Sequence, residues 1–209
     1  MAPAAANTSD VAAASPEALG LAMLQADPHA WRLDRATQHA AVSDALADGT
    51  AAAANLRPRF ADLSPEQIAR ALGVPVETID SEPMVGSIWR FAEYRPRPPR
   101  IVLYGRGLRP LERSLTGARA AQLRGRTTPR DVFIAHELYH HIEAVRPETP
   151  IARRYRPTLF RIGNWHWRTG IAVLAEIAAG AFAQSLLDLP CHPKVLDFVA
   201  ADAIALTTN

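Results

Sequence analysis

The apolar pattern divides the chain into alanine-rich helical stretches at the start, a short strand-rich middle and two apolar helices near the end. Residues 1–16 are small and alanine-rich and are expected to be a disordered tail. Residues 17–60 are helix-prone, with Trp31, Leu33 and Leu56 as the expected anchors. "LSPEQIARALGV" (63–74) predicts a capped helix: Ser64 accepts from the first turn, Gln67 reaches back, Pro65 suits the first position and Gly73 ends it. "SIWRFAEY" (87–94) and "RIVLY" (100–104), rich in β-branched and aromatic residues, predict two strands of a small antiparallel sheet. A helix over 109–123 follows, with Pro110 near its start, and "RGRTTP" breaks it.

Thr128, Pro129 and Asp131 form a clean N-terminus for a helix over about 129–144. An arginine-rich segment (145–168) leads to a strongly apolar helix at about 169–187, ended by Pro190. The expected fold class is therefore α+β, mainly helical with a small antiparallel sheet. The length fits one globular domain over 17–209.

The capped helix at 63–74, followed by "PVETID", has the look of a half helix-turn-helix. A groove-reading second helix needs donors for bases and phosphates, whereas this one would carry Glu77, Asp80 and Glu82 and meet Pro83. A structural helix is the better reading. Charge agrees, since a formal net charge of +2 is too small to make nucleic acid or an anionic membrane the main partner. Lys194 is the only lysine, and Cys191 the only cysteine, so no intramolecular disulfide or cysteine-built zinc site can form. "MAPAAANTSD" has neither a basic nor an apolar leader region, and the apolar run 171–187 is short for a membrane span and interrupted by Glu176. A cytoplasmic protein with no membrane or nucleic-acid partner is expected.

The candidate chemistry lies in "IAHELYHHIE" (134–143). His136 and His140, four residues apart on a helix, project from one face about 6 Å apart along the axis, so two imidazoles can converge on one Zn²⁺. Glu137, turned about 100° away, sits beside such a metal as a base. This is the HExxH arrangement of zinc metalloproteases. A third ligand is needed. Glu143 lies about 10 Å along the axis from His136, which places it beside the site or on the surface. Glu176, inside the apolar "IAVLAEIAAGAF", is the stronger candidate, because an unpaired buried carboxylate is costly. Its competing role is an ion pair with one of the many arginines.

"AHELYHHIE" (135–143) and "EIAAGAFAQSLL" (176–187) together resemble the ImmA/IrrE family of gluzincin metallopeptidases, over roughly residues 62–190. The second segment has the family's ligand glutamate, then alanine three residues on and Phe-Ala at six and seven: Glu176, Ala179, Phe182 and Ala183. The resemblance implies a zincin-like core at 62–190 with an N-terminal helical extension at 17–60, zinc held by His136, His140 and Glu176, and Glu137 as catalytic base. The chain differs in having Tyr139 where the family often has glycine. Its gap between His140 and Glu176 is long, and the arginine-rich insert there is expected to be a lid or docking surface. Gly180 stands where some gluzincins have an acid supporting a ligand histidine.

The expected activity is zinc-dependent hydrolysis of a peptide or protein substrate, with Glu137 as general base. Tyr155 and His166 are the candidates for stabilising the oxyanion, and Glu143 for supporting a ligand histidine. His141 points off the ligand face, and His29, His39 and His192 are expected in surface or core roles. The competing readings are a non-catalytic interaction or regulatory module retaining a zinc site, and a DNA-associated regulator using residues 63–80.

Overall fold

A computed structural model describes residues 14–81, 84–85, 88–115 and 127–196. The tail expected at 1–16 lies mostly outside them. Helix α1 (Pro16–Gln25) starts on Ser15, whose hydroxyl accepts from Ala18 N. Helix α2 (Arg35–Leu56) starts on Asp34, which accepts from Thr37 N at 2.7 Å. Helix α3 (Pro65–Ala71) carries the expected reciprocal cap, Ser64 with Gln67, and Gly73 follows with φ of 76°. The "PVETID" stretch forms a strand, β1 (Val76–Ile79), in place of a recognition helix.

Strands β2 (Met84–Val85) and β3 (Ile88–Trp89) pair with each other. Strands β4 (Ala92–Pro96) and β5 (Pro99–Tyr104) form the antiparallel pair expected from the sequence, in register Tyr94 to Ile101. The sheet is nevertheless mixed, because β1 joins the other edge of β5 in parallel, Val76 opposite Ile101. The run Ile101–Tyr104 is buried along its whole length, as suits a central strand covered on both faces. The predicted strand at 87–94 splits: Ile88–Trp89 leaves for the small β2–β3 ladder, and the sheet strand begins only at Ala92.

Helix α4 (Gly105–Ser114) begins directly at the end of β5, so Pro110 lies inside the helix and not near its start. The rest of the helix predicted to 123 lies outside the described residues. Helix α5 (Pro129–Val145) has the expected cap, with Thr128 and Asp131 bonding reciprocally. The arginine-rich segment resolves into a single turn, α6 (Ile151–Arg154), and a hairpin, β6 (Thr158–Ile162) with β7 (Trp165–Arg168). Helix α7 (Val173–Leu187) starts four residues later than predicted. The preceding Ile171 N is instead tied to Ala152 O at 2.8 Å.

One hydrophobic cluster runs from Leu19 to Leu196, so the N-terminal helices share the core of the segments that follow. Helix α7 lies between α2 and α5. The alanine bias has a packing use here: Ala41, Ala45, Ala53, Ala178 and Ala179 are fully buried. A Cβ at Gly49 would run into the Ala178 carbonyl, so the α2 and α7 backbones come close at that point. Leu56 is buried and Leu33 partly so, as expected. Trp31 is not an anchor. It is 69% exposed on a single 3-10 turn, where Ala30 takes the buried position.

A polar knot ties α2, α5 and α6 together. Asp48 on α2 accepts from Tyr139 Oη at 2.7 Å, from Arg146 at 2.8 Å and from Arg154 at 2.6 Å. Its side chain is only 6% exposed. Tyr139 therefore has a clear use: its ring packs against Phe182 and its hydroxyl reaches α2. Glu143 joins the same knot by accepting from Ile151 N at 2.9 Å. Burial works against the Asp48 carboxylate, but the Tyr139 hydroxyl and the two guanidiniums outweigh it and hold its pKa below the ordinary 3.8.

A folded carboxyl that titrates below its unfolded counterpart contributes stability in full above the unfolded value, and loses it as pH falls through the folded one. Asp48→Asn is expected to destabilise the protein by about 3 kcal/mol at neutral pH, because Arg146 loses its main charge partner. Urea unfolding measures this, and the deficit should shrink as pH is taken below 3.8.

Candidate metal centre

The centre sits where α5, α7 and β4 meet, in a cleft of about 830 Å³. Helix α5 presents His136 and His140 one turn apart, their rings edge to face with centroids 5.1 Å apart. Helix α7 brings Glu176 across to both. Its Oε2 lies 3.1 Å from His136 Nε2, and its Oε1 lies 3.5 Å from His140 Nε2. Among the described residues no guanidinium reaches Glu176, so the competing arginine pair is not formed.

Glu176 departs from the expectation in one respect. Its side chain is 52% exposed, opening into the cleft instead of being sealed in the core. The helix is apolar where it packs on α2 and α5, and the glutamate occupies the strip that faces the cleft. Burial around it pushes its pKa up, but the hydrogen bond and charge of His136, with His140 and Lys194, prevail and lower it to about 2. It is an anion at any ordinary pH. Burial, with His136 close by, lowers His140 to about 4, so that imidazole is neutral with a lone pair to offer.

Two imidazole nitrogens and one carboxylate are a donor set that suits a zinc-type ion. One donor atom from each of the three residues lies within 4.8 Å of the others. The two contacts, at 3.1 and 3.5 Å, run to different Glu176 oxygens, and each is near the edge of about 3.3 Å that separates ligand atoms in a tetrahedral zinc shell. Among the described residues three protein groups converge, and an ion held by them would keep a position for water.

Glu137 lies beside this set and is buried. Burial raises its pKa, with the Glu176 charge adding to the rise and His136 opposing it. Its Oε2 accepts from Tyr94 N at 2.7 Å. The same Tyr94 places its hydroxyl 3.0 Å from His141 Nδ1. One residue of β4 thus grips α5 at two consecutive turns, and His141 is buried there off the ligand face, as expected.

The other candidates do not come to the cleft. Tyr155 donates to Asp44 Oδ2 at 2.7 Å on the α2 side. His166 is exposed on the β6–β7 hairpin. Glu143 belongs to the Asp48 knot. In their place the cleft has Arg90, His192 and Lys194, which the sequence reading did not select. His29 and His39 carry no part of the site, whereas His192 is buried against it. Burial lowers His192 to about 4, and its Nδ1 accepts from Lys194 N at 3.1 Å. Gly180 was the available signal for His192. A Cβ there would strike the imidazole, so the glycine in this alanine-rich helix makes room for a ring. Tyr94 had no such local mark.

A scan against protein-family models, a search of curated proteins and a search of solved structures each gave no match. The geometry therefore carries the functional reading.

Purified protein is expected to bind one Zn²⁺ per chain by isothermal titration and metal analysis. Glu176→Ala and His136→Ala should each lower the affinity by more than the roughly 10–100-fold typical of losing an outer partner. Glu143→Gln should leave it unchanged.

Proposed function

We propose that the protein is a zinc-dependent peptide hydrolase with a zincin-like core. The observation that carries this reading is the meeting of Glu176 with both His136 and His140, while Glu137 is held at their side by a backbone N–H. The alternative is an interaction module with a structural zinc. A structural site closes its shell with four protein ligands and has no use for a buried carboxylate of raised pKa beside it. Glu137 favours catalysis.

His136, His140 and Glu176 would hold the ion, which supplies an activated water and polarises a carbonyl. Glu137 then has the acid–base work. Tyr94 N fixes its Oε2, and the raised pKa brings it nearer the operating pH, where a general base is most effective. It takes the proton of the attacking water and delivers it to the leaving amine. Negative charge developing on the carbonyl oxygen needs donors in the cleft. Arg90, His192 and Lys194 replace Tyr155 and His166 as the candidates, since only the former line it. The resemblance to ImmA/IrrE peptidases is consistent with a protein substrate.

Glu137→Gln is expected to keep zinc stoichiometry and fold but to lose hydrolysis by about 10²–10⁴-fold. Turnover of casein or a peptide library by wild type and variant, each loaded with zinc, measures it. Equal, undetectable turnover in both would favour the interaction module.

A further inference from the structure

The β6–β7 hairpin lies between the two ligand helices in sequence but projects from the body of the protein. Every residue from 160 to 168 is exposed. Phe160 pairs with Trp167, Arg161 with His166 and Ile162 with Trp165. Strand alternation therefore puts Phe160, Ile162, Trp165 and Trp167 on one face and Arg161 with His166 on the other. Phe160 and Trp167 stack, their rings 7° from parallel at 5.8 Å. Gly163, first in the two-residue turn, has φ of 57° and lets the hairpin close tightly.

Exposure is greatest at the tip, 71% for Ile162 and 85% for Trp165, against 52% for Phe160 and 62% for Trp167. These four make up most of the exposed large hydrophobics among the described residues. A fifth, Trp31, stands near the base, where Arg32 Nη1 donates to Thr158 O at 3.2 Å. Charge follows the same geography. From 149 to 175 there is no acidic residue, while Arg153, Arg154, Arg156, Arg161 and Arg168 are all in that stretch. Arg154 is committed to Asp48; Arg153, Arg156 and Arg168 have no acidic partner among the described residues.

We propose that this hairpin docks the protein on an anionic phospholipid surface, the apolar tip entering the headgroup region and the arginines meeting the phosphates. Indole rings favour that boundary, and arginine forks bind phosphate there. Basic groups near the surface add long-range attraction. A folded protein partner is a poorer match. Such interfaces want a broad patch of about 800 Å² per side with an apolar centre and polar rim, whereas this is a narrow protrusion exposed on both faces. The expectation of no membrane partner rested on the small net charge of the whole chain and on the lack of a spanning segment. Net charge averages over the chain and does not weigh the local run of arginines at 153–168. Among the described residues no helix is long and apolar enough to cross a membrane, which leaves surface attachment untouched.

The test is sedimentation of the full chain with vesicles of phosphatidylcholine, with and without phosphatidylglycerol. Binding is expected only with phosphatidylglycerol, weakening as salt rises. The double variant Ile162→Ser, Trp165→Ser should bind at least about tenfold more weakly, and so should Arg156→Gln, Arg161→Gln, Arg168→Gln. Brominated lipids should quench the wild-type indole emission, and Trp165→Phe with Trp167→Phe should remove that quenching; this second readout needs only conservative changes. No association with anionic vesicles at millimolar lipid, or equal binding by wild type and the serine variant, would overturn the proposal. So would a dimer in sedimentation equilibrium that the serine variant abolishes while vesicles bind neither form. That result would give the surface to a second copy.

Discussion

The contact between α5 and α7 is the constraint on which the site depends, because Glu176 must lie within about 3.5 Å of two imidazoles on another helix. Neither helix could set that distance alone. Helix α7 is pinned from behind by α2, where Gly49 allows its backbone to approach Ala178 and where buried alanines on both helices favour a close approach. From the other side, Tyr94 on β4 holds α5 through Glu137 and His141. The site is thus clamped between a close-packed helix pair and a strand edge.

The Asp48 knot extends that clamp. Tyr139 lies between His136 and His140 in sequence but is turned about 100° from His140 round the helix, into the core, where its hydroxyl meets Asp48. The rotation of about 100° per residue makes these two duties compatible on one helix. Helix α2, which the sequence reading placed in an N-terminal extension, is therefore coupled to the orientation of the α5 face that carries His136 and His140. Loosening α2 should be felt at His136 and His140 even though Asp48 touches neither.

What could be read from the chain alone depended on distance along it. The caps at Ser64 and Thr128 are completed within three residues, and the histidine pair within four, so each is written in a local pattern that helix geometry turns into structure. Glu176 was found from 40 residues away because a carboxylate in an apolar helix stands out on composition, although its openness to the cleft did not. The grip of Tyr94 on Glu137 spans 43 residues and uses a backbone N–H, which every residue but proline possesses; nothing in the sequence could single it out. Trp31 misled for the converse reason. Size suggests an anchor, but a side chain is buried by its place on an element, and a single 3-10 turn had only one inward position to give.

The long gap between His140 and Glu176 can be understood in the same terms. A helix-to-helix connection needs only a few residues, and here the turn α6 already returns the chain to the start of α7, with Ile171 N bonded to Ala152 O. The hairpin is therefore not required to close the fold; the bond from Ile171 to Ala152 spans its base like a staple. An element released from structural duty in this way can hold aromatic and cationic side chains in water without straining the core. If those side chains were removed, the geometry at His136, His140 and Glu176 should persist, because none of the contacts described there passes through residues 158–168. The proposed chemistry and the proposed attachment would in this sense be carried by separate parts of one connection.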